Sequence, residues 1–228
     1  MSCTVTWLGH GCFQFDVDGT LVLIDPFLTG NPAATTTAEA VAPQFIVLTH
    51  GHGDHVGDTV DIARRTGALC IANYEITEWL QRQGIKHAHP LNTGGGHDFP
   101  FGRLKFTIAH HTSMLPDGSN GGAPCGLLFT LPDGRKIYHS GDTGLFYDML
   151  LIGEEGLDLA ILPIGDNYTM GPDDALRAVK LLKPRQVIPE HFNTWELIAQ
   201  DAERWAARVR AETSTVPVVL QPGSSHAL

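Results

Sequence analysis

The sequence has no excess of positive charge, no paired-cysteine pattern and no long apolar run, and each absence narrows what the chain can do. Its 15 Lys and Arg stand against 25 Asp and Glu, a net charge of −10 with the histidines neutral. Proteins that grip duplex DNA or RNA carry a basic footprint that replaces phosphate counterions. The densest basic spot here, Arg64-Arg65, reads as a solvated helix face, so no nucleic-acid partner is expected. Cys3, Cys12, Cys70 and Cys125 are widely spaced with no CxxC, and nothing else points to secretion. Reduced thiols in a cytoplasm are the expectation, with Cys125 a buried structural thiol. No apolar stretch approaches a membrane span, and Met1–Trp7 lacks the basic and apolar regions of a signal peptide. No membrane partner is expected.

What is present suits an α/β protein. An apolar content of 43% over 228 residues supplies a real core and excludes disorder. The 25 glycines and 14 prolines, spread along the chain, favour short strands and tight turns over a helical bundle. Thr4–Leu8, Cys12–Val17 and Leu21–Ile24 read as strands, the last two joined by an Asp18-Gly19 hairpin turn. Asn31–Ala42 reads as a loop or a loose helix. Helices are expected over Asp58–Thr66 and Glu75–Gln83, from Pro172 until Pro184 stops the chain, and along the amphipathic series Ile198, Ala202, Trp205, Val209. Strands are expected at Ala68–Ala72, Arg103–Ala109, Leu127–Leu131, Arg135–His139, Leu159–Ile164 and Gln186–Pro189. Strands alternate with helices in both halves, with no repeat, low-complexity tract or linker. One α/β domain over residues 1–228 is the simplest account.

The chemistry is concentrated around residue 50. There the run Phe45-Ile46-Val47-Leu48 leads into Thr49-His50-Gly51-His52-Gly53-Asp54-His55. Histidine is the commonest metal ligand, and carboxylates complete such sites. In an extended segment His50, His52 and Asp54 share one face, while His55 points elsewhere unless the chain turns. Three other apolar runs also end in ligand-type residues. Phe106–Ala109 leads into His110-His111, Lys136–Tyr138 into His139-Ser140-Gly141-Asp142, and Val187–Glu190 into His191. In open α/β sheets, sites form at the carboxyl ends of strands. A lone histidine at a strand end is usually structural; four such ends in one chain point to a metal site.

These motifs resemble those of the metallo-β-lactamase-fold hydrolases. Tyr138–Phe146, Leu162–Pro172 and Ile188–Trp195 further resemble the prokaryotic metal-dependent hydrolase branch, which is similar to ascorbate-6-phosphate lactonases. The resemblance runs over nearly the whole chain. It implies a four-layer αββα sandwich, two mixed sheets flanked by helices, holding two divalent metal ions. It also implies that His50, His52 and His111 hold one ion, that Asp54, His55 and His191 hold the other, and that Asp142 bridges them. His111 is preferred to His110 because the family's ligand directly precedes a Ser/Thr pair, here Thr112-Ser113.

Zinc is the first expectation; manganese, iron and nickel also suit this donor set. Two such ions bridge a water and lower its pKa, making a nucleophile that cleaves an ester, lactone or phosphoester of a small molecule. Asp54 is expected to orient that nucleophile and His139 to donate to a developing oxyanion. Asp25 is expected to fix a ligand's tautomer, and His10 to border the cleft. Asn193 is expected to contact substrate or cap the following helix. His87, His89, His97 and His226 read as bystanders. The loop from Ile164 to Pro172 is expected to cover the cleft or join an interface, and a symmetric homo-oligomer would be usual. Competing classes are di-iron electron-transfer proteins, which carry an acid where His52 stands and a flavin domain absent here, nucleases, which the charge disfavours, and non-catalytic metal binders or regulators.

Overall fold

The computed structural model describes all residues, 1–228, as two seven-stranded sheets packed face to face with helices outside. The chain forms β1 (Cys3–Gly9), β2 (Cys12–Val17), β3 (Thr20–Ile24), β4 (Phe45–Val47), α1 (Gly53–Val56), α2 (Thr59–Thr66), β5 (Leu69–Asn73), α3 (Tyr74–Arg82) and β6 (Ala88–Leu91). It continues through β7 (Gly96–Phe99), β8 (Gly102–Ile108), β9 (Cys125–Thr130), β10 (Lys136–His139), α4 (Met149–Gly153), β11 (Leu159–Pro163), α5 (Pro172–Leu182), β12 (Gln186–Glu190), α6 (Ala202–Glu212), β13 (Val216–Pro217) and β14 (Ser225–Ala227). The first sheet runs β14-β1-β2-β3-β4-β5-β6 and the second β13-β12-β11-β10-β9-β8-β7. Both are mixed. β1, β2 and β3 are antiparallel, then β3 to β6 parallel; β7 to β10 are antiparallel, then β10 to β13 parallel.

The larger core fills the space between the sheets. Alternate residues of β1 and β2 (Val5, Trp7, Phe13, Phe15) face Leu104, Phe106, Leu127, Phe129 and Ile137 of the second sheet, with Phe15 and Phe129 ring to ring at 5.2 Å. Ala175, Val179, Trp205 and Val209 seat α5 and α6 on the second sheet's outer side as part of the same cluster. A separate cluster, with Leu23, Ile46, Leu48, Ile62, Trp79 and Leu80, seats α2 and α3 outside the first sheet. The result is the expected αββα layering. The four cysteines are buried and unpaired, and no helix is long and apolar enough to cross a membrane.

This topology puts the chemistry on one edge. β1 and β3 point the same way because each is antiparallel to β2, and β4 follows β3 in parallel. β8 and β10 share a direction because each is antiparallel to β9, and β12 follows through β11. The carboxyl ends of these six strands run into His10, Asp25, His50, His111, Asp142 and His191.

The structure departs from the sequence reading in a few places. The last long helix starts at Ala202, with Asp201 as N-cap, and Ile198 closes a short 3-10 turn before it. The edge strands β6, β7, β13 and β14 are short and partly polar, so they carry no period-2 signal. The helical turn α1 bends the His motif at Gly53, so Asp54 and His55 leave the extended line of His50 and His52.

That bend is locked by Gly57, which ends α1 at φ 41° and ψ −124°. A Cβ there would collide with the Pro26 carbonyl oxygen and stand 2.7 Å from Phe27 Cα. Asp58 ties the same loop by accepting the Leu28 and Thr29 amides at 2.9 and 2.8 Å. Gly19, at φ 84°, has open space around it. Gly19→Ala is therefore expected to cost only the left-handed backbone penalty, roughly 1 kcal/mol. Gly57→Ala adds a backbone collision and is expected to cost at least about twice that. Urea unfolding of both variants checks this; equal costs would contradict the packing argument.

Candidate metal centre

Asp142 is the middle of the site. It follows β10, is buried, and its Oδ2 lies 3.1 Å from His191 Nε2, 3.4 Å from His55 Nε2, 3.5 Å from His111 Nε2 and 4.0 Å from His50 Nε2. Two donor groups flank it. His50, His52 and His111 bring their donor atoms within 4.8 Å of one another, as do His10, Asp54, His55 and His191. The helical turn α1 is what swings Asp54 and His55 into the second group.

The histidine rings are oriented from behind. Thr49 Oγ1 donates to Asp25 Oδ2 at 2.6 Å and so accepts from His50 Nδ1 at 3.0 Å. His55 Nδ1 donates to the same Asp25 oxygen at 2.8 Å, and Asp25 Oδ1 takes the Thr49 amide at 2.8 Å. One carboxylate thus fixes two tautomers and leaves both Nε2 lone pairs facing Asp142. Asp25 sits where the sequence reading put it, at the end of β3.

The donor set fits metal ions. His55 Nε2 and His191 Nε2 are buried with no well-formed hydrogen bond, a deficit of about 1–3 kcal/mol each that a cation beside Asp142 would remove. Burial holds His50 well below the ordinary imidazole pKa, and His52 and His111 are also lowered, first by burial. Neutral imidazole is the ligating form. For His55 and His191 burial is outweighed, chiefly by the Asp142 carboxylate, so both sit above the usual value. Burial likewise pushes Asp142 up, but His191 and His55 outweigh it and hold it well below. Metal loading therefore displaces protons from His55 and His191.

His10 is wholly buried, with Nδ1 2.8 Å from Thr194 Oγ1 and Nε2 3.2 Å from Asp54 Oδ2. Burial takes its pKa down to about 4, so the neutral ring accepts from Thr194 and donates to Asp54. It steers Asp54 and does not line the cleft. His139 is a correction. It is wholly buried against Phe13, accepts the Gly141 amide on Nδ1 at 3.1 Å, and turns Nε2 to Glu190 Oε2 at 3.2 Å. It has no access to a substrate oxyanion; it braces the turn that carries Asp142. Asn193 is likewise outside the metal cleft. Its Oδ1 accepts the Gln200 amide at 2.7 Å and its own amide donates to Ile198 at 2.9 Å, closing the loop before α6. His110 stacks on Phe146 and stays out of the site. His89 and His97 pair at 4.4 Å between the edge strands, and His226 meets Gln186, far from the strand ends that hold the ligands.

A cleft of about 460 Å³ opens over this group, lined by His52, Asp54, His111, Thr112, Asp142, Tyr168, His191 and Trp195. A larger hollow, of about 620 Å³, lies between α5 and α6 and holds no cluster of metal-type donors. Tyr168 belongs to the Ile164–Pro172 loop, which reaches the cleft as one of its two expected places, whereas nothing in the sequence marks Trp195 as a lining residue. Both residues stand on irregular loops, where no periodicity marks an inward residue. Asp25→Asn keeps an acceptor for the Thr49 amide but removes the shared anionic one. It is expected to weaken metal binding about 10- to 100-fold, read by competition with a chromogenic chelator; unchanged affinity would contradict the assigned role.

Comparison with known proteins agrees with this geometry. The family model described as the β-lactamase superfamily domain matches residues 20–192. A UPF0173 metal-dependent hydrolase of Heliobacterium modesticaldum is 47% identical over 232 residues, covering 98% of this chain and 97% of its own. Another, from Pelotomaculum thermopropionicum, is 48% identical over 229 residues, covering 98% and 99%. The solved structure of Igni18, a metallo hydrolase from the archaeon Ignicoccus hospitalis, superposes with a TM-score of 0.91 at 36% identity, covering 100% of this chain and 99% of Igni18. With a fold, a cluster of metal-type donors and near full-length relatives in agreement, the chain belongs to the metallo-β-lactamase superfamily and, within it, to the UPF0173 metal-dependent hydrolases.

Proposed function

We infer that the protein is a dinuclear hydrolase acting on an ester, lactone or phosphoester bond of a small molecule. The observation that carries this reading is the pair of donor groups arranged about one carboxylate, Asp142, at the floor of an open cleft. Two divalent ions about 3.5–4 Å apart lower the pKa of water towards neutrality and polarise the oxygen of the bond under attack. His50, His52 and His111 would hold one ion, and Asp54, His55 and His191 the other, with Asp142 reaching both.

The chain's own groups then have distinct tasks. Asp54 faces the cleft with its side chain 30% exposed and is held by His10. Burial pushes its pKa up, but the His10 hydrogen bond and the His55 charge outweigh that and keep it below the ordinary carboxylate range. An aspartate so acidic is ionised throughout the neutral range and is a weak base. Its task is to accept a hydrogen bond from the attacking water and set its direction. Thr112, with Oγ1 3.4 Å from His52 Nε2, sits at the rim. No Lys or Arg lines the cleft, so the chain offers a developing negative charge no cationic side chain there. That charge falls to the bound ions, and turnover depends on them.

Chelation is expected to abolish hydrolysis of an ester, lactone or bis-p-nitrophenyl phosphate, and added divalent metal to restore it. Asp142→Ala is expected to lower metal content at both positions together and turnover by more than about 100-fold. His87→Ala, on an exposed segment away from the strand ends, is expected to change neither. Near-full two-metal occupancy in Asp142→Ala would sink the assignment, and turnover indifferent to chelation would sink the hydrolytic mechanism.

A further inference from the structure

The cleft has two walls that metal binding does not account for. Trp195 and Tyr168 line it, 39% and 54% exposed, and neither is a metal-type donor here. Single exposed aromatics are ordinary, and Tyr74 and Tyr147 are such cases; two on the walls of one concave site form a surface suited to a ligand.

Both are held in place. Trp195 packs edge-on to His10 at 4.8 Å and tilts against Phe27 at 6.2 Å. Its loop is clipped by the Asn193–Gln200 and Asn193–Ile198 hydrogen bonds and by Ile198 N–H donating to the Trp195 carbonyl at 3.1 Å. Tyr168 follows two consecutive left-handed residues, Asp166 at φ 62° and Asn167 at φ 53°. Asp and Asn tolerate that conformation better than other side chains do. The loop is pinned at its base by Asp166 N–H to the Met170 carbonyl at 3.1 Å and by Met170 N–H to the Thr143 carbonyl at 2.9 Å, the residue after Asp142. The Trp195 ring is thus packed in place, and Tyr168 stands on a separate hydrogen-bonded loop on the wall of the same cleft.

The cleft's own charge is negative. The eight lining residues include two carboxylates, Asp54 and Asp142, and no Lys or Arg. An anion at the reacting bond can sit on the metal ions, but a phosphate or carboxylate elsewhere on the substrate would have no cationic partner and would be desolvated against two aromatic rings.

We propose that Tyr168 and Trp195 form a specificity pocket for an uncharged aromatic or apolar group of the substrate, next to the scissile ester or lactone bond. This deepens the hydrolase reading and rests on it for the reaction. The substrate class is a neutral aryl or alkyl ester or lactone, not a phosphorylated sugar lactone.

The test uses the metal-loaded enzyme and lactones sharing one ring but carrying methyl, phenyl or phosphorylated hydroxymethyl. The phenyl lactone is expected to have the highest kcat/KM. Trp195→Ala and Tyr168→Ala are each expected to lower the phenyl-to-methyl ratio of kcat/KM about 10-fold, the scale of one lost aromatic contact. Tyr147→Ala, exposed but outside the cleft, should leave that ratio unchanged. Preference for the phosphorylated lactone, or an unchanged ratio in both cleft variants, would overturn the proposal. A binding measurement separates this from failure of the hydrolase reading. Trp7, Trp79 and Trp205 are 2%, 6% and 1% exposed, so Trp195 alone among the tryptophans is open to a ligand. Saturable quenching of tryptophan fluorescence by 4-nitrobenzyl alcohol, lost in Trp195→Ala, would support the pocket even if no lactone were turned over. Absence of saturable quenching would reject it even in an active enzyme.

Discussion

Four imidazole nitrogens surround one oxygen of Asp142, all within 4.0 Å and nearly all out of water. A buried carboxylate in that position needs positive charge close by, because desolvation of an uncompensated ion costs several kcal/mol. Protons on His55 and His191 supply it here, and divalent ions held by the same donors would replace them. The surrounding structure serves to hold these five side chains together. Asp25 and Thr49 set two of the rings, His10 sets Asp54, and the His139–Glu190 pair lies under the turn that presents Asp142.

The fold explains how residues scattered from 10 to 191 meet. Strand direction is shared across both sheets wherever a ligand is delivered, so every carrier strand ends on the same edge. The side chains stand within a few residues of those strand ends and so converge without long tethers, and the inter-sheet core keeps the two edges in register. Left-handed backbone recurs at this edge, at His10, Asp25, His191 and Asn193. Such positions are strained for residues with a Cβ and persist where surrounding bonds determine them. Here the bonds of Asp25 and His10 do so.

Much of this was legible in the sequence because the relevant signals are local. An apolar run ending in a histidine is visible in one line of text, and the four of them mark strand ends that converge on one edge. The Asp-Gly hairpin and the helix starting at Pro172 are similarly local. The misses have a common cause. His139 stands at a strand end like the ligands do, and only the packing of Phe13 and Glu190 shows that it points into the core. Asn193 was open between a substrate contact and a cap, and it closes the loop ahead of α6, nearer the second. Tyr168 and Trp195 reach the cleft from loops whose path no periodicity encodes. The bend at Gly53 was open in the sequence, since one extended line could not place His55 beside His50.

The claim on which the account stands is that Asp142 lies between two metal ions. Anomalous diffraction from crystals of the protein loaded with a divalent transition metal would test it directly. The account predicts two peaks flanking Asp142 Oδ2, one against His50, His52 and His111 and one against Asp54, His55 and His191. A single peak, or peaks away from Asp142, would contradict it.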